Sequence, residues 1–213
     1  MEIMLVIIAA LQAYLFGSLN FAVIFSKIFG KKDIRQFGSG NAGMTNMMRV
    51  YGFLPGILTF LCDVLKGAAA CFVGRYIIFS YLNRAYGGEW FSPIYGAVLC
   101  GIFCVIGHIY PCFFEFKGGK AVAVSVGIFY LINWKVITAA LIIFAAVLLL
   151  SHIISISSLA ATLAVFFGMA FFPPHEGKSI VVIIGTFIIC AIVFAKHCEN
   201  IKRLIKHEEK PIF

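Results

Sequence analysis

Charge is scarce in this chain. Asp, Glu, Lys and Arg make up 12% of its 213 residues, about half the share of an ordinary soluble domain. Only nine residues are acidic, and they form no cluster of the kind that holds a divalent metal, which argues against metal-dependent phosphatidyl transfer. There is no GxxxxGK[ST] loop for a nucleotide and no GxSxG elbow for a nucleophilic serine. Internal repeats, low-complexity tracts and long polar insertions are missing too, so one domain over residues 1–213 is expected. Nothing calls for a metal or a cofactor.

What fills the sequence instead is apolar: 62% of residues are hydrophobic and the mean hydropathy is +1.02. A soluble core of this length cannot bury so much apolar surface. Lipid is the solvent that resolves the conflict, which makes an all-α integral membrane protein the expected fold. The net charge of +8 does not point to nucleic acid, because the cations sit in short loops between apolar runs, where they report membrane orientation. Cys62, Cys71, Cys100, Cys104 and Cys190 lie inside those runs and read as small buried hydrophobes. Cys112 and Cys198 lie near the expected cytoplasmic face, where thiols stay reduced. Cys100, Cys104, His108 and Cys112 recur every fourth residue, but on a helix that spacing drifts around the axis and cannot converge on one ion. Met1–Gly17 lacks a basic leader and a small-residue cleavage site, so it is expected to be a retained first helix.

A helix needs about 20 apolar residues to cross a bilayer. Seven transmembrane helices are expected: Ile3–Phe29, Phe53–Phe79, Pro93–Pro111, a short Ala121–Asn133, two spans within Val136–Phe172 divided by a serine-rich turn at Ser151–Ser158, and Ser179–Ala195. A charged tail follows from Lys196. The loops and tail on one side carry Lys31, Lys32, Arg35, Arg49, Lys117, Lys120, Lys196, Lys202, Arg203, Lys206 and Lys210. The other side carries Arg84, Lys135 and Lys178. That asymmetry places the N-terminus outside and the C-terminus in the cytoplasm. Trp90, Trp134 and Tyr86 then fall at the outer boundary.

Nearly all groups capable of chemistry lie in four segments on the expected cytoplasmic face. Gly38-Ser39-Gly40-Asn41-Ala42-Gly43-Met44-Thr45-Asn46 and Arg49 contain a literal GxGxxG, but no strand precedes it, so it is no dinucleotide fingerprint. Its glycines can still turn successive N–H groups toward an anion, and Arg49 offers a fork suited to phosphate. Lys117-Gly118-Gly119-Lys120 sets two cations around a turn at a helix start, a second anion-binding arrangement. Ser151–Ser158 and His197 to Arg203 supply hydroxyls, an imidazole and an amide. Each segment alone also reads as an ordinary polar loop, turn or basic tail. Asp63 and Lys66, three residues apart inside the second span, read equally as a structural pair and as support for a site.

Taken together and in order, Ser39 to Asn46 with Arg49, Asp63-Val64-Leu65-Lys66-Gly67, Gly107-His108, Lys117 to Lys120, and His197 to Arg203 resemble the bacterial acyl-phosphate:glycerol-3-phosphate acyltransferases. The resemblance spans residues 39–203. It implies a seven-span enzyme of the bacterial cell membrane, with its site on the cytoplasmic face. The implied reaction transfers a fatty acyl group from acyl phosphate to the sn-1 hydroxyl of glycerol 3-phosphate in phospholipid synthesis. It further implies that Ser39, Arg49, Lys120, Ser155, His197 and Asn200 bind the phosphates and orient the substrates, with N–H donors around Gly43 and Met44. Asn41, Thr45, Asn46, Lys117 and His108 match its motifs as supporting residues, as does Arg203. A soluble enzyme that makes acyl phosphate is a conceivable partner at the basic tail. Met44, Ala121, Val124 and His152 depart from the pattern, where alanine, glycine, threonine and a basic residue are usual. The competing reading is a membrane transporter of a phosphorylated small molecule, which a midplane site between repeated broken helices would favour.

Overall fold

The computed structural model describes residues 1–30 and 32–212; Lys31, one of the cations used above for orientation, lies outside them, as does Phe213. The described residues contain no strand. They form ten α-helices: α1 (Glu2–Ser18), α2 (Phe21–Gly30), α3 (Met44–Tyr51), α4 (Phe53–Phe72), α5 (Ser80–Tyr86), α6 (Pro93–Ile109), α7 (Val122–Ser151), α8 (Ile154–Phe171), α9 (Ser179–Ala195) and α10 (Cys198–Ile205). Five stretches are long and apolar enough to cross a membrane, or six if α9 and α10, bent by 54°, count as one.

The chain departs from the expected helices where polar side chains capture backbone groups. The single helix expected over Ile3–Phe29 is two, because Asn20 Oδ1 accepts the Val23 N–H at 3.1 Å and caps α2. The second helix does not end at Phe79. It runs through a π-helical stretch, Val73–Phe79, into α5. Within α7 one residue, Asn133, has extended backbone (φ −154°, ψ 94°). Its amide donates to the Phe172 carbonyl (2.9 Å) and its Oδ1 accepts the Val136 N–H (3.4 Å). The two halves of α7 fold back on one another there, since Val122, Val126 and Phe129 line the same cavity as Phe144, Leu141 and Ile137. The serine-rich segment is only briefly a turn. His152, at φ 56°, and Ile153 separate α7 from α8, and Ser155, Ser157 and Ser158 are already helical and buried.

Small residues let these helices approach closely, as packing in lipid requires. A Cβ on Gly107 would lie 2.2 Å from the Tyr14 carbonyl, and one on Gly127 would lie 2.0 Å from that of Val64. Cys71, Cys100 and Cys104 are fully buried among these contacts, while Ile3, Leu149, Leu150 and Phe171 face outward. Such an apolar exterior is stable only against lipid. The polar residues gather at the two ends. One end carries Arg75 paired with Glu176, Lys178 paired with Glu89, and exposed Trp90 and Trp134. The other end carries every segment singled out above.

Candidate active site

The loop before α3 is held from within. Asn46 reaches back from α3, donating to the Phe37 and Ile34 carbonyls (2.9 and 3.3 Å) and accepting the Ser39 N–H (2.9 Å). Gly38 and Gly40 lie at φ 60° and 71°, which lets the chain double back over Asn46. Gly43 precedes α3 without a side-chain cap, so the first N–H groups of that helix, from Met44 onward, keep their donors. Thr45 is half-buried in that turn, Ser39 is exposed, and the Asn41 amide lies beside Gly43. Arg49, on the last turn, donates to the carbonyls of Lys210 and Pro211 (3.3 and 3.4 Å).

Two contacts fasten the lysine-glycine turn against this loop. Arg35, paired with Asp33 at 2.7 Å, donates to the Phe114 and Lys117 carbonyls (2.7 and 3.2 Å). Gly119 fits where no side chain can: a Cβ there would lie 2.4 Å from His108 Nε2 and 2.6 Å from the Ala42 carbonyl. The N–H groups of Gly118 and Gly119 donate to the Ile109 and His108 carbonyls. Lys117 is exposed at the rim, whereas Lys120 points inward and hydrogen-bonds Asn200 Oδ1. Beneath the turn is a buried charge cluster. Lys66 pairs with Asp63 at 2.7 Å, donates to the Leu19 carbonyl at 2.6 Å and lies 3.0 Å from His108 Nδ1.

The remaining residues converge on an acid that sequence reasoning passed over. Glu209 accepts from Ser155 Oγ (2.9 Å), Asn200 Nδ2 (2.5 Å) and Arg203 Nε (2.6 Å). Burial would raise its carboxyl, but these hydrogen bonds outweigh burial and hold it below the usual glutamate value. Burial lowers the Lys120 ammonium to about 8; the nearby Glu209 opposes the fall, while Arg203 and Arg49 add to it. His197 is 2% exposed and caps α10. Its Nδ1 lies 2.8 Å from the Val193 carbonyl, which fixes the proton on that nitrogen and leaves Nε2 as an acceptor. Burial keeps this imidazole below the usual histidine value.

Ser155, Asn200 and Arg203 thus meet on one anion, Glu209, with His197 and Lys120 close by and Arg49 on the carbonyls of the next two residues. Ser39, Asn41, Gly43, Met44, Thr45 and Asn46 form the adjoining loop, and Asp63, Lys66 and His108 lie under its floor. A sequence model of the glycerol-3-phosphate acyltransferases matches residues 7–207. The chain belongs to this family. It is therefore an acyltransferase, and a multi-pass membrane protein. It is 35% identical over 206 residues to a glycerol-3-phosphate acyltransferase 2 of Bacillus anthracis, covering 97% of this chain and 98% of that one. It is 32% identical to the glycerol-3-phosphate acyltransferase of Staphylococcus aureus strain Newman, covering 98% of each. Two crystal structures of PlsY (YgiH), an integral membrane glycerol 3-phosphate acyltransferase, share its fold. The glycerol 3-phosphate form has a TM-score of 0.81 at 30% identity, and the lysophosphatidic acid form 0.79 at 29%; each covers 97% of this chain and 94% of the other.

Arg35 and Glu209 were the residues missed as site builders. Arg35 carried no signal beyond its charge. Glu209 follows the basic tail and falls just past the residues the family matches, so only the folded chain brings it to Asn200 and Ser155.

Proposed function

We propose that the chain transfers a fatty acyl group from an acyl phosphate to the sn-1 hydroxyl of glycerol 3-phosphate, giving lysophosphatidic acid and inorganic phosphate. The observation that carries this reading is the convergence of Ser155, Asn200 and Arg203 on a single anion, Glu209, with Lys120 bonded to Asn200 and Arg49 on the carbonyls of the next two residues. Both reactants are phosphorylated, so a site of cations and fixed donors serves them better than a protein nucleophile. The N–H groups opening α3, with Ser39 and Arg49, would hold one phosphate. Lys120, Ser155 and Asn200 would hold the other. Binding the two together sets the glycerol hydroxyl against the acyl carbonyl, and proximity supplies much of the rate.

The step itself is balanced without a covalent enzyme intermediate. The hydroxyl oxygen bonds to the acyl carbon, the carbon–oxygen bond to phosphate breaks, and phosphate leaves with the electron pair. The hydroxyl proton goes to His197 Nε2, held as an acceptor, or to the leaving phosphate. His197→Ala separates these routes: near-normal turnover eliminates the imidazole as base. Purified protein in detergent, given palmitoyl phosphate and labelled glycerol 3-phosphate without CoA, should make labelled lysophosphatidic acid. No product from that mixture, with product from palmitoyl-CoA, would overturn the donor.

Capture of a phosphate needs charged Lys120. Its ammonium is protonated below about pH 8, so kcat/KM for the acyl phosphate should fall as pH rises through that value. Lys120→Arg, whose guanidinium stays charged, should shift that alkaline limb upward. An unchanged limb in a series from pH 6.5 to 9.5 would remove Lys120 from the phosphate site.

Division of α7 at Asn133 supports a count of seven spans, and the basic asymmetry supports an outside N-terminus and a site on the cytoplasmic face of the bacterial membrane. The basic tail is then exposed to the same compartment as any soluble enzyme delivering acyl phosphate.

A further inference from the structure

We propose that the apolar cavity under the anion cluster measures the donor's acyl chain, with Phe129 as its stop. This rests on the acyl-phosphate reading above. The cavity, of about 110 Å³, lies between both halves of α7 and helices α8 and α9. Three of its lining residues adjoin the site, one on each of three elements, and mark its mouth. Val122 follows Lys120 by two residues, Ser158 lies one turn beyond Ser155, and the Val193 carbonyl is the hydrogen-bond partner of His197. A chain whose phosphate head is held by Lys120, Ser155 and Asn200 therefore has this cavity directly before its tail.

The far end is lined by buried side chains. Phe129, Ile137, Val165 and Ile189 lie there, exposed by 2%, 4%, 4% and 0%. Phe129 and Val165 sit about two helical turns from Val122 and Ser158, and Ile189 lies one turn from Val193. From Val122 to Phe129 a helix rises roughly 10 Å, so a long chain reaches the stop before its end. Methylenes inside the cavity pack against its walls and each should raise kcat/KM, by less than the roughly fourfold expected of transfer from water, because the donor's chain starts in lipid. Methylenes past the stop gain nothing, so the length dependence breaks where the cavity is full.

The test is kcat/KM against chain length, using acyl phosphates from eight to eighteen carbons on purified protein. Wild type should rise and then level off or fall. Phe129→Ala should move the break to longer chains. Ala161→Leu, which adds bulk to the α8 wall one turn above Val165, should move it to shorter chains, and it serves as the second probe should Phe129→Ala fail to fold. A break that stays in place in both variants, or a wild-type profile without one, overturns the ruler while leaving the donor intact. Failure with every acyl phosphate overturns the donor reading itself, and the ruler with it.

Discussion

Lys66→Met should destabilise the protein by roughly 3–5 kcal/mol, because it strips a buried carboxylate of its counter-charge. Asp63 and Lys66 are 2% and 4% exposed and lie 2.7 Å apart. Lys66 also donates to the Leu19 carbonyl, at the break between α1 and α2, and meets His108 Nδ1. Loss of the ammonium leaves three acceptors facing one another with no donor between them. For a chain of this length the loss corresponds to a fall in Tm of roughly 10 °C, readable by thermal unfolding in detergent. The double variant Asp63→Asn with Lys66→Met removes the stranded charge and should recover much of the loss, since neutralising both partners costs less than orphaning one. If the single variant melts with wild type, the cluster is not what holds α4 to α6.

Gly119→Ala should cut turnover about a hundredfold, for a different reason. Its added methyl would sit 2.4 Å from His108 Nε2 and 2.6 Å from the Ala42 carbonyl, and neither neighbour is free to retreat. His108 is pinned by Lys66, and Ala42 belongs to the loop that Asn46 ties down. The lysine-glycine turn must move instead, carrying Lys120 away from Asn200. A displacement near 1 Å in a positioning site costs about a hundredfold in rate, so a loss of that order is expected in the acyl-transfer assay. Wild-type turnover would show that the two loops need not touch for catalysis.

Much of this arrangement was legible from residue types. Apolar runs gave the helices, and glycine, lysine, serine and histidine outside them gave the site segments. What stayed hidden was set by contacts distant in sequence. Asn20 looks like one polar residue in a long apolar run until its amide is seen capping α2. The serines of Ser151–Ser158 resemble a loop because hydroxyls favour turns, yet Ser157 satisfies itself on the Ile153 carbonyl four residues back, at the start of α8. Glu209 and Arg35 gain meaning only from partners 54 and 79 residues away in sequence. Charge alone marks such residues as solvated, and folding decides otherwise.

The reversal at Asn133 has a consequence for where two immiscible reactants can meet. The outgoing segment, 122–132, is some seven residues shorter than the returning one, 134–151. At the rise of an α-helix, the outgoing segment therefore spans roughly 10 Å less than the returning one, and Lys120 lies just before its start. The proposed phosphate site at Lys120 sits at that shorter end. On the proposed reading, a water-borne glycerol 3-phosphate descends to it, while the lipid-borne chain of the donor reaches it from the side. One short helix thus brings the boundary between the two phases to the reacting atoms.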